Sequence, residues 1–249
     1  MVFIKNEKEI AGIKKACEIF MKVKEACMQQ NFVGQSLKAI DEFTKNIIEA
    51  NGAKCAFHGY QGFSGYNCMS KNEVIIHGIG THDVTFGPED KLTLDIGVNL
   101  NGYICDAAFS IFGPKVNPEY LKMSEVTLQA IYEACKVIKP NNTVGDISHA
   151  VQTYVTKHGY QLLKHYGGHG CGLKIHEDPI ILNYGQPHTG YKLKPGMVIC
   201  VEPMTLQLSD AVHLGKDNWS VTSNIKQMTC HWEHMILVTD TGCEILTQK

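Results

Sequence analysis

Five carboxylate and imidazole groups fall along this chain in the order Asp95, Asp106, His169, Glu202 and Glu233, each in a short strand-like or glycine-rich segment. Asp95 and Asp106 share LTLDIGVNLNGYICDAAFS, which reads as a β-hairpin around Asn101-Gly102. With Asn101-Gly102 as a two-residue turn, Asp95 faces Ala108 and lies diagonal to Asp106. With Leu100-Asn101 as the turn, the two aspartates pair directly. Either register puts both carboxylates on one face, roughly 5–8 Å apart at Cβ. Adjacent buried carboxylates repel and raise each other's pKa unless a cation neutralises them, so the pair suggests a metal site.

The other three groups fit that reading. His169 sits in HYGGHGCGLKIHEDP, where Gly167, Gly168, Gly170 and Gly172 let the backbone pack closely around it. A nucleotide loop fails because position 173 is Leu and no GK[ST] follows. A zinc helix of the HExxH kind fails because His176-Glu177 runs into Asp178-Pro179. Glu202 ends the strand-like VICVEPM, and Glu233 lies in CHWEHMILVT, whose apolar run also reads as a strand. One glutamate in an apolar strand is ordinarily a solvated face or a strand end. Four carboxylates and an imidazole, all in apolar or glycine-rich elements, are costly to bury without a metal. An oxygen-rich set with one nitrogen suits Mn, Fe, Co or Zn in a two-metal site. Two such ions about 3.5–4 Å apart could acidify a water for attack on a carbonyl. His77, in NEVIIHGI, and His176 remain as free imidazoles for a substrate carbonyl or a tetrahedral intermediate, against the alternative of structural histidines. His58, His82, His149, His158, His165, His188, His213, His231 and His234 have no comparable context and are read as surface or structural.

The elements that must position these groups follow from periodicity. Ile10, Ile13, Cys17, Phe20 and Cys27 mark an amphipathic helix over about 6–30, and a second runs from Ser36, its N-cap, to the Asn51-Gly52 stop. Strand-like segments fill about 55–112. Helices follow over about 118–138 and 145–158, the latter stopped by Gly159. VGQSLKAIDEF (33–43) lines up with VGDISHAVQTY (144–154), so the chain reads as a duplicated αα-plus-β unit with pseudo-twofold symmetry, in one α+β domain spanning 1–249.

Composition excludes several classes. The 249 residues carry a net charge of −2, with 44% hydrophobic and 19% charged residues, which gives no basic footprint for nucleic acid and no polybasic membrane patch. No arginine occurs, a pattern read as codon bias in an AT-rich genome; it also removes the bidentate fork used for phosphates and terminal carboxylates. The N-terminus has no apolar signal core, and no run reaches the ~18 residues of a membrane span. Ten scattered cysteines without CxxC pairs fit a reducing cytoplasm.

The motifs NEVIIHGI, LDIGV with a second Asp eleven residues on, GGHGCG, KIHEDP, VEPM and WEHMILVT together resemble the type I methionine aminopeptidases, of the pita-bread (creatinase/aminopeptidase) fold, over essentially the whole chain. The resemblance implies that Asp95 chelates one metal, Asp106 and Glu233 bridge two, and His169 ligates the second. Glu202 is implied as both ligand and proton shuttle, and His77 and His176 as contacts to the scissile peptide. The implied methionine pocket draws on Tyr60, Phe63, Cys68, Ile175 and Trp219, an apolar, polarizable lining suited to a thioether. Three positions depart from the family pattern: Ile175 where an aromatic is common, Phe57 where a small Cys is common, and Ala107 where many members have a hydroxyl. The 31 residues from Glu202 to Glu233 leave no room for the type II insertion. The implied reaction is removal of the initiator methionine from nascent chains and peptides with a small second residue; a cytoplasmic monomer is the default expectation, with transient ribosome association as a candidate partnership. Two alternatives remain open: an Xaa-Pro aminopeptidase or prolidase of the same fold, and a non-catalytic module that borrowed it.

Overall fold

The computed structural model describes residues 2–248. Helix α1 (Glu7–Gln29) opens on a capping box, with Asn6 Oδ1 accepting from Glu9 N and Glu9 Oε2 accepting from Asn6 N. Its apolar stripe, Ile13, Cys17, Phe20, Val23 and Cys27, is buried. Helix α2 (Leu37–Ala50) is capped by Ser36 Oγ. The first half then supplies β1 (Lys54–Cys55), β2 (Cys68–Lys71), β3 (Val74–Ile76), β4 (Lys91–Leu100) and β5 (Tyr103–Phe112). The second half repeats the order: α3 (Pro118–Cys135) and α4 (Val144–Lys157), then β6 (Gln161–Leu162), β7 (Gly167–Gly170), β8 (Glu177–Leu182), β9 (Val198–Val201) and β10 (Met204–Leu206). Five short strands finish it: β11 (Val212–Leu214), β12 (Val221–Ser223), β13 (Thr229–His231), β14 (His234–Val238) and β15 (Cys243–Ile245).

All the sheet ladders are antiparallel. One sheet runs β1-β4-β2 with β5 on β4, and another runs β15-β14-β9-β7-β8; β13-β10-β6 and β11-β12-β3 form two smaller ones. The two large sheets meet where Ala108 and Glu233 exchange backbone hydrogen bonds, Glu233 N to Ala108 O at 3.1 Å and Ala108 N to Glu233 O at 3.3 Å. One buried cluster extends from Ile13 to Leu246, joining helices and sheets of both halves. No helix among the described residues is long and apolar enough to cross a membrane, and all ten cysteines are free thiols.

The β4–β5 turn takes the Asn101-Gly102 register. Both residues have positive φ, +54° and +91°, as a two-residue hairpin turn of matching twist requires. Asp95 therefore pairs with Ala108, and Asp106 with Gly97.

The internal repeat exists, but in a different register from the sequence echo. Ser36 bridges Thr85 as Thr143 bridges Lys192, and Leu37 N donates to Val84 O as Val144 N does to Tyr191 O. Counterparts thus lie 107 residues apart (143 against 36, 192 against 85). Aligning Val33 with Val144 sets the two segments four residues off. A shift of about one turn keeps the same face of an amphipathic helix inward, so the apolar pattern alone cannot distinguish the two alignments. In the corrected register Asp95 corresponds to Glu202, the first within β4 and the second just past the end of β9.

Candidate metal centre and substrate cleft

Asp95 on β4 and Asp106 on β5 point to the same face by the hairpin's pleat, and both are buried. Cys68, on β2, stands directly opposite Asp95. His169 rides on β7, whose glycines permit close strand contact: a Cβ at Gly168 would lie 2.0 Å from Cys200 O, and one at Gly170 2.3 Å from Asp178 O. Glu202 and Glu233 do not lie within strands. Glu202-Pro203 separates β9 from β10, and Trp232-Glu233 separates β13 from β14, the two breaks facing each other between Val201–His234 and Met204–His231. The apolar period of CHWEHMILVT runs through the break, whereas the backbone leaves the ladder there so that Glu233 can pair with Ala108 instead.

The carboxylates and His169 converge. One ligand atom from each of Asp106, His169, Glu233 and also Cys200 falls within 4.8 Å of the others. His169 Nε2 is 3.5 Å from Glu202 Oε1 and 3.9 Å from Asp106 Oδ2. Its other nitrogen, Nδ1, is 2.9 Å from Gly170 O and donates to it, which leaves the Nε2 lone pair facing the carboxylates. Asp95 Oδ1 and Glu233 Oε1 are buried and have no hydrogen-bond partner in the protein.

Burial, and then mutual repulsion, makes this cluster intolerant of its own charge. Burial followed chiefly by the Glu233 and Asp95 charges lifts Asp106 well above the carboxylate range, and burial with Glu202 and Asp95 does the same to Glu233. Asp95 is pushed up to about 7, by burial and, among the neighbouring charges that raise it, by Glu202; burial takes Glu202 to about 7. Two orphaned oxygens, an oriented imidazole lone pair and four carboxylates that cannot all ionise alone together fit a divalent cation centre.

The cavity above this cluster measures about 750 Å³, and all twelve residues singled out in the sequence line it: Asp95, Asp106, His169, Glu202, Glu233, His77, His176, Tyr60, Phe63, Cys68, Ile175 and Trp219. Phe57 lines it too, its ring against Gly97. His77 follows β3 in a left-handed conformation, φ +59°, rare for a non-glycine residue. Burial holds its pKa down, to about 4. His176 packs edge-on against His169, ring centroids 4.4 Å apart, and Tyr60 Oη lies 3.0 Å from its Nδ1. Burial and the nearby His77 hold His176 below its ordinary pKa as well. Trp219 meets Phe63 edge-to-face at 5.1 Å, walling the apolar end.

Two groups escaped the sequence reading. His231, taken there as surface or structural, is 1% exposed and faces the cluster, Nε2 3.6 Å from Glu202 Oε2. Its spacing of two from Glu233 was the available signal. Glu177, next to His176, is the other. Its Oε2 takes the buried Lys5 ammonium and its Oε1 accepts from Leu173 N and Lys174 N, fixing the loop that carries Ile175 and His176. Lys5→Met should leave the buried carboxylate uncompensated and cost about 3 kcal/mol or more of folding stability. Chemical denaturation would read this as a lower midpoint; an unchanged midpoint would mean that the loop amides alone hold Glu177.

Residues 11–240 match metallopeptidase family M24. A methionine aminopeptidase of Mycoplasma genitalium is 47% identical over 99% of this chain and 100% of its own length. The crystal structure of methionine aminopeptidase from Thermotoga maritima superposes with a TM-score of 0.97 at 32% identity, covering 100% of both chains. Prolidase from Pyrococcus furiosus superposes at 0.79 with 25% identity, over 99% of this chain but 65% of the prolidase. The mixed helix and sheet architecture is the pita-bread fold, and the chain belongs to the M24 metallopeptidases.

Proposed function

We propose that this protein hydrolytically removes the N-terminal methionine from peptides and nascent chains with a small second residue, the whole chain acting as one catalytic unit. The observation that carries the reading is the joining, in one cavity, of a carboxylate-rich cluster able to hold cations, two histidines whose pKa values burial lowers, and an apolar end walled by Phe63 and Trp219. Asp95, Asp106, His169, Glu202 and Glu233 would hold two divalent ions, of Mn, Fe, Co or Zn. Bound there, the ions would supply Lewis acidity, lowering the pKa of a water and polarising the scissile carbonyl. Glu202 takes the proton from the attacking water on its carboxylate and passes it to the leaving amine. Tyr60 Oη is 3.0 Å from His176 Nδ1; with the hydroxyl as donor in that pair, the ring proton sits on Nε2, ready to donate to the carbonyl oxygen as charge develops there. His77, kept neutral by burial, is the second such donor. Tyr60, Phe63, Cys68, Ile175 and Trp219 take the unbranched thioether side chain. The protein would do this as a cytoplasmic monomer, meeting nascent chains at the ribosome, with no part for nucleic acid or membrane.

A proline-directed peptidase of the same fold is the second reading. It is disfavoured because the chain has no arginine to clamp a substrate carboxylate. Metal-loaded protein should cleave Met-Ala-Ser at least about a hundredfold faster than Leu-Ala-Ser or an Ala-Pro peptide, as filling an apolar pocket correctly gives a few kcal/mol. Preference for the Ala-Pro peptide would overturn the assignment.

A further inference from the structure

His231 is a buried group that faces the carboxylate cluster and that, like Cys200, neither the ligand set nor the substrate contacts use. Strand β13 pairs with β10 so that His231 stands directly opposite Met204. Met204 and Glu202 are two residues apart, which sets the His231 side chain diagonally across from Glu202 on one face. The ring is 1% exposed, and neither Nδ1 nor Nε2 has a hydrogen-bond partner in the protein. A buried imidazole with no partner costs free energy unless its environment supplies one. Glu202 Oε2 lies 3.6 Å from Nε2, while the other oxygen of the same carboxylate, Oε1, faces His169 Nε2 at 3.5 Å. Glu202 therefore lies between two imidazoles, one on each oxygen.

We propose that His231 is a positioning residue for Glu202: its Nε2–H holds Oε2 and so fixes the carboxylate rotamer that turns Oε1 towards the cation centre. The contact closes by a few tenths of an ångström to ordinary hydrogen-bond length, about 2.7–3.2 Å. The hydrogen bond also removes one of two competing orientations from a carboxylate asked both to hold a cation and to carry a proton. This rests on the peptidase reading above, but it assigns to His231 a role in orientation and none in touching substrate.

Two measurements test it on the metal-loaded wild-type protein and two variants. In a crystal structure of the loaded protein, His231 Nε2 should lie within about 3.2 Å of Glu202 Oε2. Nε2 bound to the metal itself, or the ring turned away from Glu202, would overturn the proposal. His231→Leu should lower kcat on Met-Ala-Ser about tenfold to a hundredfold with KM within about twofold, and weaken metal binding by calorimetry, as loss of a group that orients a ligand does. His231→Gln keeps an N–H donor at similar reach and should recover most of both. Unchanged kcat and metal affinity in His231→Leu would sink the idea, as would a folded His231→Gln no better than Leu. If wild-type protein releases no methionine at all, the peptidase reading fails instead; the Nε2–Oε2 distance and the calorimetry still decide the role of His231.

Discussion

Glu202→Gln is expected to lower kcat by about a thousandfold or more while leaving the fold unchanged. Gln matches Glu in shape, so the side chain still fits between His169 and His231, on the two-residue break after β9. It cannot take a proton from water or return one to the leaving amine. Burial brings the Glu202 carboxyl of the metal-free protein up to about 7. Circular dichroism, metal content and kcat should be read together. Native dichroism, with kcat near the background rate even in samples resaturated with metal, supports the shuttle role, and full activity would remove Glu202 from it. Partial metal loss is the expected side effect of replacing a charged ligand by a neutral one.

The second large effect is a linkage between protons and metal. Asp95 and Glu202 are pushed up to about 7 by burial, and burial with the neighbouring carboxylates lifts Asp106 and Glu233 well above the carboxylate range, so the metal-free cluster holds protons near pH 6.5. A cation must displace them. Calorimetry in two buffers of different ionisation heat should register release of at least about two protons at pH 6.5, and metal affinity should rise about a hundredfold or more from pH 6 to 8. For the metal-free protein the sign runs the other way. A carboxyl whose folded pKa lies above its unfolded value stabilises most below the unfolded value, and that stability is lost as pH rises through about 7. Metal-free protein should therefore melt several degrees lower at pH 8 than at pH 6.5, and bound metal should abolish the difference. The window is chosen because His77 and His231, both held down to about 4 by burial, affect stability below about pH 6.5. Metal affinity that is flat in pH, with no proton released, would contradict the buried-carboxylate cluster.

Much of this was written in local sequence. The turn at Asn101-Gly102 has its own backbone requirement, and once it is placed, the positions of Asp95 and Asp106 follow from the period of two. Helix limits at Ser36, Gly52 and Gly159 were equally local, because caps and left-handed stops depend on one residue each. Relations between distant segments were harder to see. The partner of Glu202 depends on how β13 pairs with β10, which no periodicity in either strand encodes, and His231 was passed over for that reason. The break at Trp232-Glu233 was hidden because an apolar run reads as continuous strand, whether or not the ladder is interrupted. The repeat was found but misaligned by about one helical turn, the slip to which an amphipathic pattern is blind. Tyr60 and Phe63 lie in and beside a single turn of 3-10 helix with no pattern of its own; only the family resemblance brought them to the cavity.

The most direct test is release of free methionine from Met-Ala-Ser by metal-stripped protein, then by the same protein re-supplied separately with Mn, Fe(II), Co and Zn, with bound metal counted in each sample. Methionine should appear only in reloaded samples, with activity rising as the cluster fills towards two ions per chain. Protein that binds the metals and releases no methionine under any of them, or that cleaves equally well when stripped, would contradict the central claim.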